Sequence, residues 1–243
     1  MSVAIVQGAS KGIGFSLAKL MAQQTDLKII ATSRNKQTFL KNCELVPGLA
    51  SRIDFMQLDV TEEGSIQECA SLIKSKHGLN SVKYFINSAG YLKPDKSLSG
   101  LDYNNALDHF KVNVLGPMMV AKHFAPLLSE PKKTKQKAVW VNISAKTGSI
   151  GDNVLGGWYS YRISKAALNQ LTKTMSAELF RKGIQVLAIH PGTCDTDLSR
   201  KYVQNVQHHI FSPDDAAANI FKVFSESSQN GVFLDYKGNG IPW

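Results

Sequence analysis

The chain has 243 residues, of which 43% are hydrophobic and 19% are charged. This composition is too apolar for a disordered chain, and the length fits one α/β domain or at most two small ones. No repeat or linker divides the chain, which favours a single domain over residues 1–243. No stretch approaches the roughly 18 uninterrupted apolar residues of a membrane span, and no charged leader precedes the first apolar run. We therefore expect a cytoplasmic protein with no membrane partner.

The net charge of +9, from 28 basic and 19 acidic residues, would suit nucleic acid, an acidic membrane surface or a phosphorylated small molecule. The densest basic run holds Lys132, Lys133, Lys135 and Lys137 and contains no aromatic residue. Such a run is typical of a solvated loop, so we expect no nucleic-acid partner.

Three cysteines, Cys43, Cys69 and Cys194, are scattered without CxxC spacing. This odd and sparse set argues against a disulfide framework and against a structural zinc site. The histidines form no HExxH pattern. We expect no bound metal.

Short apolar runs alternate with longer segments of helical period along the chain. The runs show little polar–apolar alternation, which predicts strands buried on both faces, as in a parallel sheet. The sequence therefore predicts a Rossmann-like, doubly wound α/β fold. The predicted strands are 3–6, 28–32, 53–58, 84–87, 138–143, 185–189 and 231–234, and the predicted helices are 13–24, 62–76, 106–128, 160–182 and 214–225.

A glycine-rich turn, Gly8-Ala9-Ser10-Lys11-Gly12-Ile13-Gly14, follows the first predicted strand and precedes the first predicted helix. Its glycines let the backbone turn sharply and approach a pyrophosphate, whose charge then lies at a helix N-terminus. The spacing differs from the general GxGxxG pattern, and a glycine-rich turn without a ligand is the alternative. The residues expected to bind a cofactor here are Gly8, Ser10, Lys11, Gly12, Ile13 and Gly14.

The end of the second predicted strand reads Ser33-Arg34, with no acidic residue to accept a hydrogen bond from a ribose hydroxyl. Arg34 can instead hold a 2′-phosphate, and Lys11 is expected nearby. Although each cation alone could be an exposed surface residue, together they favour NADP(H) over NAD(H). Asp59-Val60, after the third strand, is a candidate contact for adenine, with a helix cap as the alternative for Asp59.

Tyr161 and Lys165 are four residues apart at the start of a predicted helix and project from one face. A tyrosine has a pKa of about 10, and one ammonium about 4 Å away supplies on the order of 4 kcal/mol, enough to bring that pKa near 7. Ser144 ends the fifth strand, where open α/β sheets bind ligands, and could orient a carbonyl. The alternatives are a surface Tyr–Lys pair and a serine that begins a turn.

Taken in order, these motifs resemble those of the short-chain dehydrogenase/reductase family, and the compact C-factor-like and sniffer-like carbonyl reductases are the most similar subtype. Asn87-Ser88-Ala89-Gly90 resembles the family's Asn-Asn-Ala-Gly motif with one substitution, at Ser88. Asn113 resembles its structural and catalytic asparagine, and Ser144, Tyr161 and Lys165 complete the tetrad. Pro191-Gly192-Thr193-Cys194-Asp195-Thr196 resembles its Pro-Gly-xxx-Thr motif.

The resemblance implies a seven-stranded sheet in the order 3-2-1-4-5-6-7 and hydride transfer between a nicotinamide and a carbonyl or alcohol carbon. Tyr161 would donate the proton, Ser144 would hold the carbonyl oxygen, and Asn113 would anchor a water that resupplies protons. Lys165 would bind the nicotinamide ribose and lower the pKa of Tyr161. The cofactor contacts implied by the resemblance are Asn87, Ala89, Gly90, Asn113, Tyr161, Lys165, Pro191, Gly192, Thr193 and Thr196.

The segments that should wall the substrate side are mostly apolar, which favours a small neutral or hydrophobic aldehyde or ketone, or the matching alcohol. Lys93 and Lys146 are candidate clamps for a substrate carboxylate, and residues 197–211 form a candidate lid. Packing under a loop or at a subunit contact is the alternative for Leu155 and Trp158. The expected substrate contacts are Ser144, Leu92, Ile150, Leu155, Trp158 and Leu198.

Two predicted helices have broad apolar faces, one over 106–128 and one through Leu168, Leu171, Met175 and Leu179. In the family, these helices commonly pack against a partner's copies, which favours a homodimer or homotetramer; burial within one chain is the alternative. A regulatory or signalling protein that binds NADP(H) with little turnover is the competing function. The complete Asn–Ser–Tyr–Lys set favours an enzyme.

Overall fold

The computed structural model of the chain describes residues 2–128, 138–203 and 209–243. Within these ranges, seven strands form one parallel sheet in the order β3-β2-β1-β4-β5-β6-β7, which confirms the predicted fold class and strand order. The strands are β1 (Val3–Gln7), β2 (Lys28–Ser33), β3 (Ile53–Gln57), β4 (Val82–Asn87), β5 (Val139–Ile143), β6 (Gln185–Ile189) and β7 (Val232–Leu234).

Helices cover both faces of the sheet, so the central strands are buried on two sides, whereas only Ile53 is buried in the edge strand β3. In β1, the side chains of Ala4 and Val6 belong to one apolar core, whereas Val3 and Ile5 belong to the other. The helices are α1 (Gly12–Gln24), α2 (Lys36–Glu44), α3 (Leu49–Arg52), α4 (Glu63–His77), α5 (Tyr103–Phe110), α6 (Gly116–Phe124), α7 (Tyr159–Leu179) and α8 (Pro213–Glu226).

The predicted helix 106–128 is wrong as one continuous element. Helix α5 ends at Phe110, a π-helical segment covers Lys111–Leu115, and α6 follows from Gly116. Pro117 has no N–H to donate to the carbonyl of Asn113, so an ordinary α-helical hydrogen bond cannot form at this point. The wider π turn therefore lies at Asn113, one of the predicted catalytic residues.

The apolar side chains of α7 pack into the hydrophobic core of the chain itself. Leu168, Met175 and Leu179 are buried within the chain, and Leu171 packs against the same core. This burial accounts for the pattern that suggested a subunit contact. No helix in the described ranges is long and apolar enough to cross a bilayer, and the basic run at 132–137 lies outside them.

The loops that follow β1, β4, β5 and β6 meet at one edge of the sheet because all strands run in the same direction. Gly8 N donates to Thr32 O at 2.8 Å, which joins the glycine turn to the end of β2. Ser144 N donates to Ile189 O, also at 2.8 Å, and this bond joins the ends of β5 and β6. These bonds fix the loops from which the site is built.

Candidate active site

A cavity of about 1300 Å³ lies along the carboxyl edge of the sheet. It is long enough to be lined by the glycine turn at one side and by the first turn of α7 at the other. The predicted site residues that line it are Gly8, Ser10, Lys11, Gly12, Ile13, Gly14, Ser33, Arg34, Val60, Ala89, Gly90, Leu92, Ser144, Leu155, Trp158, Tyr161, Lys165, Pro191, Gly192, Thr193, Thr196 and Leu198.

Four predicted site residues are not among those that line the cavity: Asp59, Asn87, Asn113 and Ile150. The Asp59 carboxylate accepts hydrogen bonds from Thr61 N at 2.9 Å and Thr61 Oγ1 at 2.8 Å, so it caps a turn. Asn87 and Asn113 are buried behind the wall, and the side chain of Ile150 is 77% exposed. Asn87 and Asn113 therefore lie behind the cavity wall and support it.

The glycine turn is built for close approach. Gly8 has φ +83°, and a Cβ added there would lie 2.5 Å from Ala89 N. A Cβ at Gly14 would collide with the carbonyl oxygen of Gly8. Helix α1 starts at Gly12 without a side-chain cap and without an acidic residue in its first turn. Its free N–H groups and dipole therefore suit an anion such as a pyrophosphate.

The far end of the cavity, at β2, carries positive charge. Arg34 is exposed there, and no ion pair to it is found among the described residues. Ser33 is buried at the same position. Lys11 instead forms an ion pair with Asp197 at 2.8 Å, and both side chains are more than half exposed. Arg34 is thus an exposed cation at this end of the cavity, and its guanidinium is a group that can bind phosphate oxygens.

Tyr161 and Lys165 lie on the first turns of α7 and face the cavity. Lys165 is 4% exposed, its Nζ donates to Ile143 O at 3.0 Å, and burial lowers its pKa to about 8. The prediction that Lys165 lowers the pKa of Tyr161 is wrong. Burial, with a smaller contribution from Cys194, raises that pKa above its usual value. Lys165 Nζ lies 5.8 Å from the centre of the Tyr161 ring and is directed at the Ile143 carbonyl.

Ser144 has a partner that the sequence analysis missed. Its Oγ donates to Asn169 Oδ1 at 2.6 Å, and Asn169 Nδ2 donates to Gly148 O at 3.3 Å. Asn169 is one turn beyond Lys165, so Tyr161, Lys165 and Asn169 recur at four-residue spacing along one face of α7. This four-residue spacing could have identified Asn169 from the sequence.

Asn113 fastens the loop after β4 to the helices. Its Oδ1 accepts from Tyr91 N at 2.8 Å, and its Nδ2 donates to Tyr91 O at 2.9 Å and Ser164 Oγ at 3.0 Å. The side chain is fully buried. These bonds occupy the carboxamide, so any water that Asn113 anchors must use its backbone.

Asn87 belongs to a buried polar network between β4 and β5. Its Nδ2 donates to Asn142 Oδ1 at 3.1 Å, and Trp140 Nε1 donates to the same oxygen at 3.0 Å. Asn142 Nδ2 donates in turn to Thr172 Oγ1 of α7 at 2.9 Å. The network fixes the sheet beneath the cavity against the helix that carries Tyr161.

The substrate side of the cavity is aromatic as well as aliphatic. The ring of Trp158 lies edge-on to Tyr161 at 6.1 Å and to Tyr202 at 5.9 Å between ring centres. Tyr91 also lines this part. Leu155 is 88% exposed and forms the rim. Such a wall suits an apolar substrate with few polar groups.

The predicted lid, residues 197–211, is described at both ends, whereas residues 204–208, including His208, lie outside the described residues. At its start, Arg200 bonds Asp195 at 2.7 Å and Asp197 at 3.1 Å. At its end, Phe211 N donates to Thr193 O at 2.8 Å. Both ends are therefore fastened to the segment after β6.

Comparison with known proteins gives consistent relatives. The family model described as short chain dehydrogenase matches residues 2–207. The chain is 30% identical to the 1-hydroxy-2-glutathionyl-2-methyl-3-butene dehydrogenase of a Rhodococcus species, over 100% of both chains. Among solved structures, it resembles the carbonyl reductase Sniffer of Drosophila melanogaster (25% identity, TM-score 0.88) and an NADPH-bound carbonyl reductase from chicken fatty liver (27%, 0.87), each over 100% of both chains.

Proposed function

Because the chain belongs to the short-chain dehydrogenase family, we propose that this oxidoreductase is an NADP(H)-dependent carbonyl reductase in which Tyr161 donates the proton. The observation that carries the proposal is the convergence of Tyr161, Lys165 and Ser144 on one cavity, which the glycine turn also lines. A protein that only bound the dinucleotide would have no use for a buried proton donor beside it.

In the proposed reaction, reduced NADP supplies a hydride to the carbonyl carbon when it is bound. Tyr161 is protonated at neutral pH, since burial raises its pKa further above the usual value, and it donates that proton to the carbonyl oxygen. Ser144 Oγ turns from Asn169 to donate a hydrogen bond to the same oxygen. The buried ammonium of Lys165 favours negative charge on that oxygen and on Tyr161 as the proton leaves.

The preference for NADP(H) over NAD(H) is part of the proposal. Its support is the exposed Arg34 at the end of β2, with no acidic residue in the segment Ser33-Arg34-Asn35 that lines the cavity there. The residues that would hold the dinucleotide are the backbone of the glycine turn, Ser33 and Arg34 at the adenosine end, and Gly90, Lys165 and Thr196 near the nicotinamide.

We propose a small neutral or apolar aldehyde or ketone as substrate, or the matching alcohol in the reverse direction. The aromatic wall around Trp158 and the apolar rim at Leu155 support this class. The Rhodococcus relative is named as a dehydrogenase of an alcohol, which is the same chemistry in the oxidative direction.

We also propose a single catalytic domain over residues 1–243, because the loops and helices around one sheet together line the cavity. A homodimer or homotetramer would cover Leu115, Met118 and Ile163, which are each more than 40% exposed on the helices that commonly pair in the family. The free cysteines fit the reducing cytoplasm.

The substitution Tyr161→Phe tests the mechanism. It removes the proton donor and keeps the ring, so turnover with NADPH and an apolar carbonyl should fall by about a hundredfold or more. The dissociation constant for NADPH, measured by fluorescence titration, should stay within about twofold. Tyr159→Phe is the matched control, because Tyr159 lies on the same helical turn and does not line the cavity.

Unchanged turnover in Tyr161→Phe would refute the assignment of the proton donor. If the unaltered protein binds NADPH but neither reduces a carbonyl nor oxidises an alcohol across a broad panel, the protein is a regulatory binder instead.

A further inference from the structure

We propose that Asp95 is a positioning residue for the reaction proposed above: its buried carboxylate holds the first turn of the helix carrying Tyr161 against the loop that follows β4. This inference rests on the proposed function. Asp95 lies five residues after Gly90, outside the motifs that resemble those of the family, so no sequence signal marks it.

The carboxylate of Asp95 is buried and joins two helices. The residue is 4% exposed, and its Oδ2 accepts from Ser160 N, in the first turn of α7, at 3.0 Å. Its Oδ1 accepts from Asn105 Nδ2, on α5, at 2.7 Å. Burial alone would raise the pKa of Asp95, but the hydrogen bonds from Ser160 and Asn105 outweigh it and lower that pKa. A charged carboxylate therefore faces the positive end of the α7 dipole.

The backbone of Asp95 holds a second part of the same turn. Trp158, the residue just before α7, has φ +53° and ψ +38°, a left-handed conformation that is rare for a bulky side chain. Its N–H donates to Asp95 O at 2.8 Å. Asp95 thus holds both Trp158 and Ser160, the residues on either side of Tyr159. Backbone strain of this kind persists only where its surroundings impose it.

The loop that contains Asp95 is itself fixed to α5. Asn105 Nδ2 donates to Lys93 O at 3.0 Å, and Lys93 N donates to His109 Nε2 at 3.3 Å. His109 is fully buried, and its ring lies edge-on to Tyr91 at 4.7 Å and to Tyr161 at 6.1 Å. Asp95 therefore connects a rigid loop to the start of α7.

Loss of the carboxylate should disturb the chemistry and the substrate wall together. Tyr161 is one residue beyond Ser160, and Trp158 packs against the Tyr161 ring. The partners of Asp95 lie on α5 and α7, away from the glycine turn and Arg34. We therefore expect kcat and KM for the carbonyl to change while NADPH affinity does not, because small misplacements of a reacting group are costly in rate.

The test compares Asp95→Asn with Asp102→Asn. Asp102 caps α5 through Asn105 N at 2.7 Å, so the control makes the same chemical change at a neighbouring helix start that does not touch α7. The measurements are kcat per NADPH-binding site, counted by titration, KM for one apolar aldehyde, and amide hydrogen exchange over residues 158–162. Counting sites removes any effect of a smaller folded fraction.

We expect Asp95→Asn to lower kcat per site by about tenfold, to keep the NADPH dissociation constant within about twofold, and to speed exchange at 158–162. Asp102→Asn should change none of these.

Wild-type kcat per site in Asp95→Asn, or unchanged exchange at 158–162, would overturn the positioning role. If the unaltered protein has no turnover, the proposed function fails, whereas the contact between Asp95 and α7 is still tested by the exchange experiment.

Discussion

Lys165 has a buried amine whose described hydrogen bond goes to a backbone carbonyl, that of Ile143. No carboxylate forms an ion pair with it among the described residues. Burial lowers its pKa from 10.5 to about 8, so the charged form is disfavoured in the folded chain by an amount on the order of 3 kcal/mol at 1.36 kcal/mol per pKa unit. Keeping the buried amine of Lys165 charged at neutral pH therefore lowers the free energy of unfolding of the chain.

The substitution Lys165→Met should raise the free energy of unfolding at pH 7 by about 1–3 kcal/mol while abolishing turnover. The penalty in the unaltered protein is fully present below pH 8, where the buried amine must be charged. It fades as pH rises towards 10.5, where the amine is neutral in the folded state and loses its charge in the unfolded state. Urea unfolding between pH 7 and pH 10 measures the difference.

Lys173→Met is the control for this experiment, because Lys173 is on the same helix and donates to Gly231 O at 3.0 Å from a more exposed position. It should lower the free energy of unfolding, since it loses that bond without relieving a buried charge. A lower free energy of unfolding for Lys165→Met at pH 7 would contradict the account.

At the scale of elements, the turn after β5 lies directly on α7. A Cβ added to Gly148 would lie 2.7 Å from both the carbonyl carbon and the Cβ of Lys165. The same turn accepts a hydrogen bond from Asn169 at Gly148 O. Glycine is required here by close approach, so the spacing between Ser144 and Lys165 depends on it.

Gly148→Ala should therefore push the turn away from α7. We expect a loss of about 1–3 kcal/mol in the free energy of unfolding, as for other overpacked sites, and a lower kcat. Gly240→Ala is the control, since nothing lies within 4 Å of a Cβ there. Thermal unfolding and steady-state kinetics check both variants. If the two variants had the same unfolding temperature and the same kcat, the turn could move away from α7 without loss of stability, and the prediction would be wrong.

The elements predicted from the sequence were those with strong apolar patterns. The seven strands and α1, α4, α7 and α8 were found close to their predicted bounds, because most of them bury several apolar side chains. Helix α2 was missed because only Phe39 and Cys43 are buried in it. Its start depends on Asn35, whose side chain accepts from Thr38 N at 2.9 Å.

The site was predictable where its residues share a short motif. Tyr161 and Lys165 are one helical turn apart, and the glycines lie within one loop. The bond between Asp95 and Ser160 joins residues 65 positions apart, and no local pattern indicates such a contact. The pKa of Tyr161 was predicted wrongly because the sequence gives neither the burial of the phenol nor the direction of the Lys165 amine.

At the scale of the whole molecule, the net charge of +9 favours the binding of a polyanion. Arg34 places a positive charge at one end of the cavity. NADPH carries one more phosphate than NADH, and this phosphate is the part that Arg34 would receive. A difference between the two cofactors should therefore depend on this residue.

At equal concentration, NADPH should raise the thermal midpoint more than NADH, because a ligand that binds the folded state more tightly stabilises it more. Arg34→Ala should weaken NADPH binding by about tenfold, as expected for loss of a charge-assisted hydrogen bond, and leave NADH binding nearly unchanged. Lys41→Ala, a neighbouring exposed cation on α2, is the control. An equal loss for both cofactors in Arg34→Ala would contradict the preference.

The residues that line the cavity come from segments spread along the chain, from Gln7 to Tyr236. During translation, the glycine turn leaves the ribosome long before β6 and the segment from Pro191 to Thr196. A nascent chain therefore holds one half of the proposed dinucleotide site before the other half has been synthesised. The cofactor can assist only the last stage of folding, and C-terminal truncation should abolish its capture as surely as damage to the first loop.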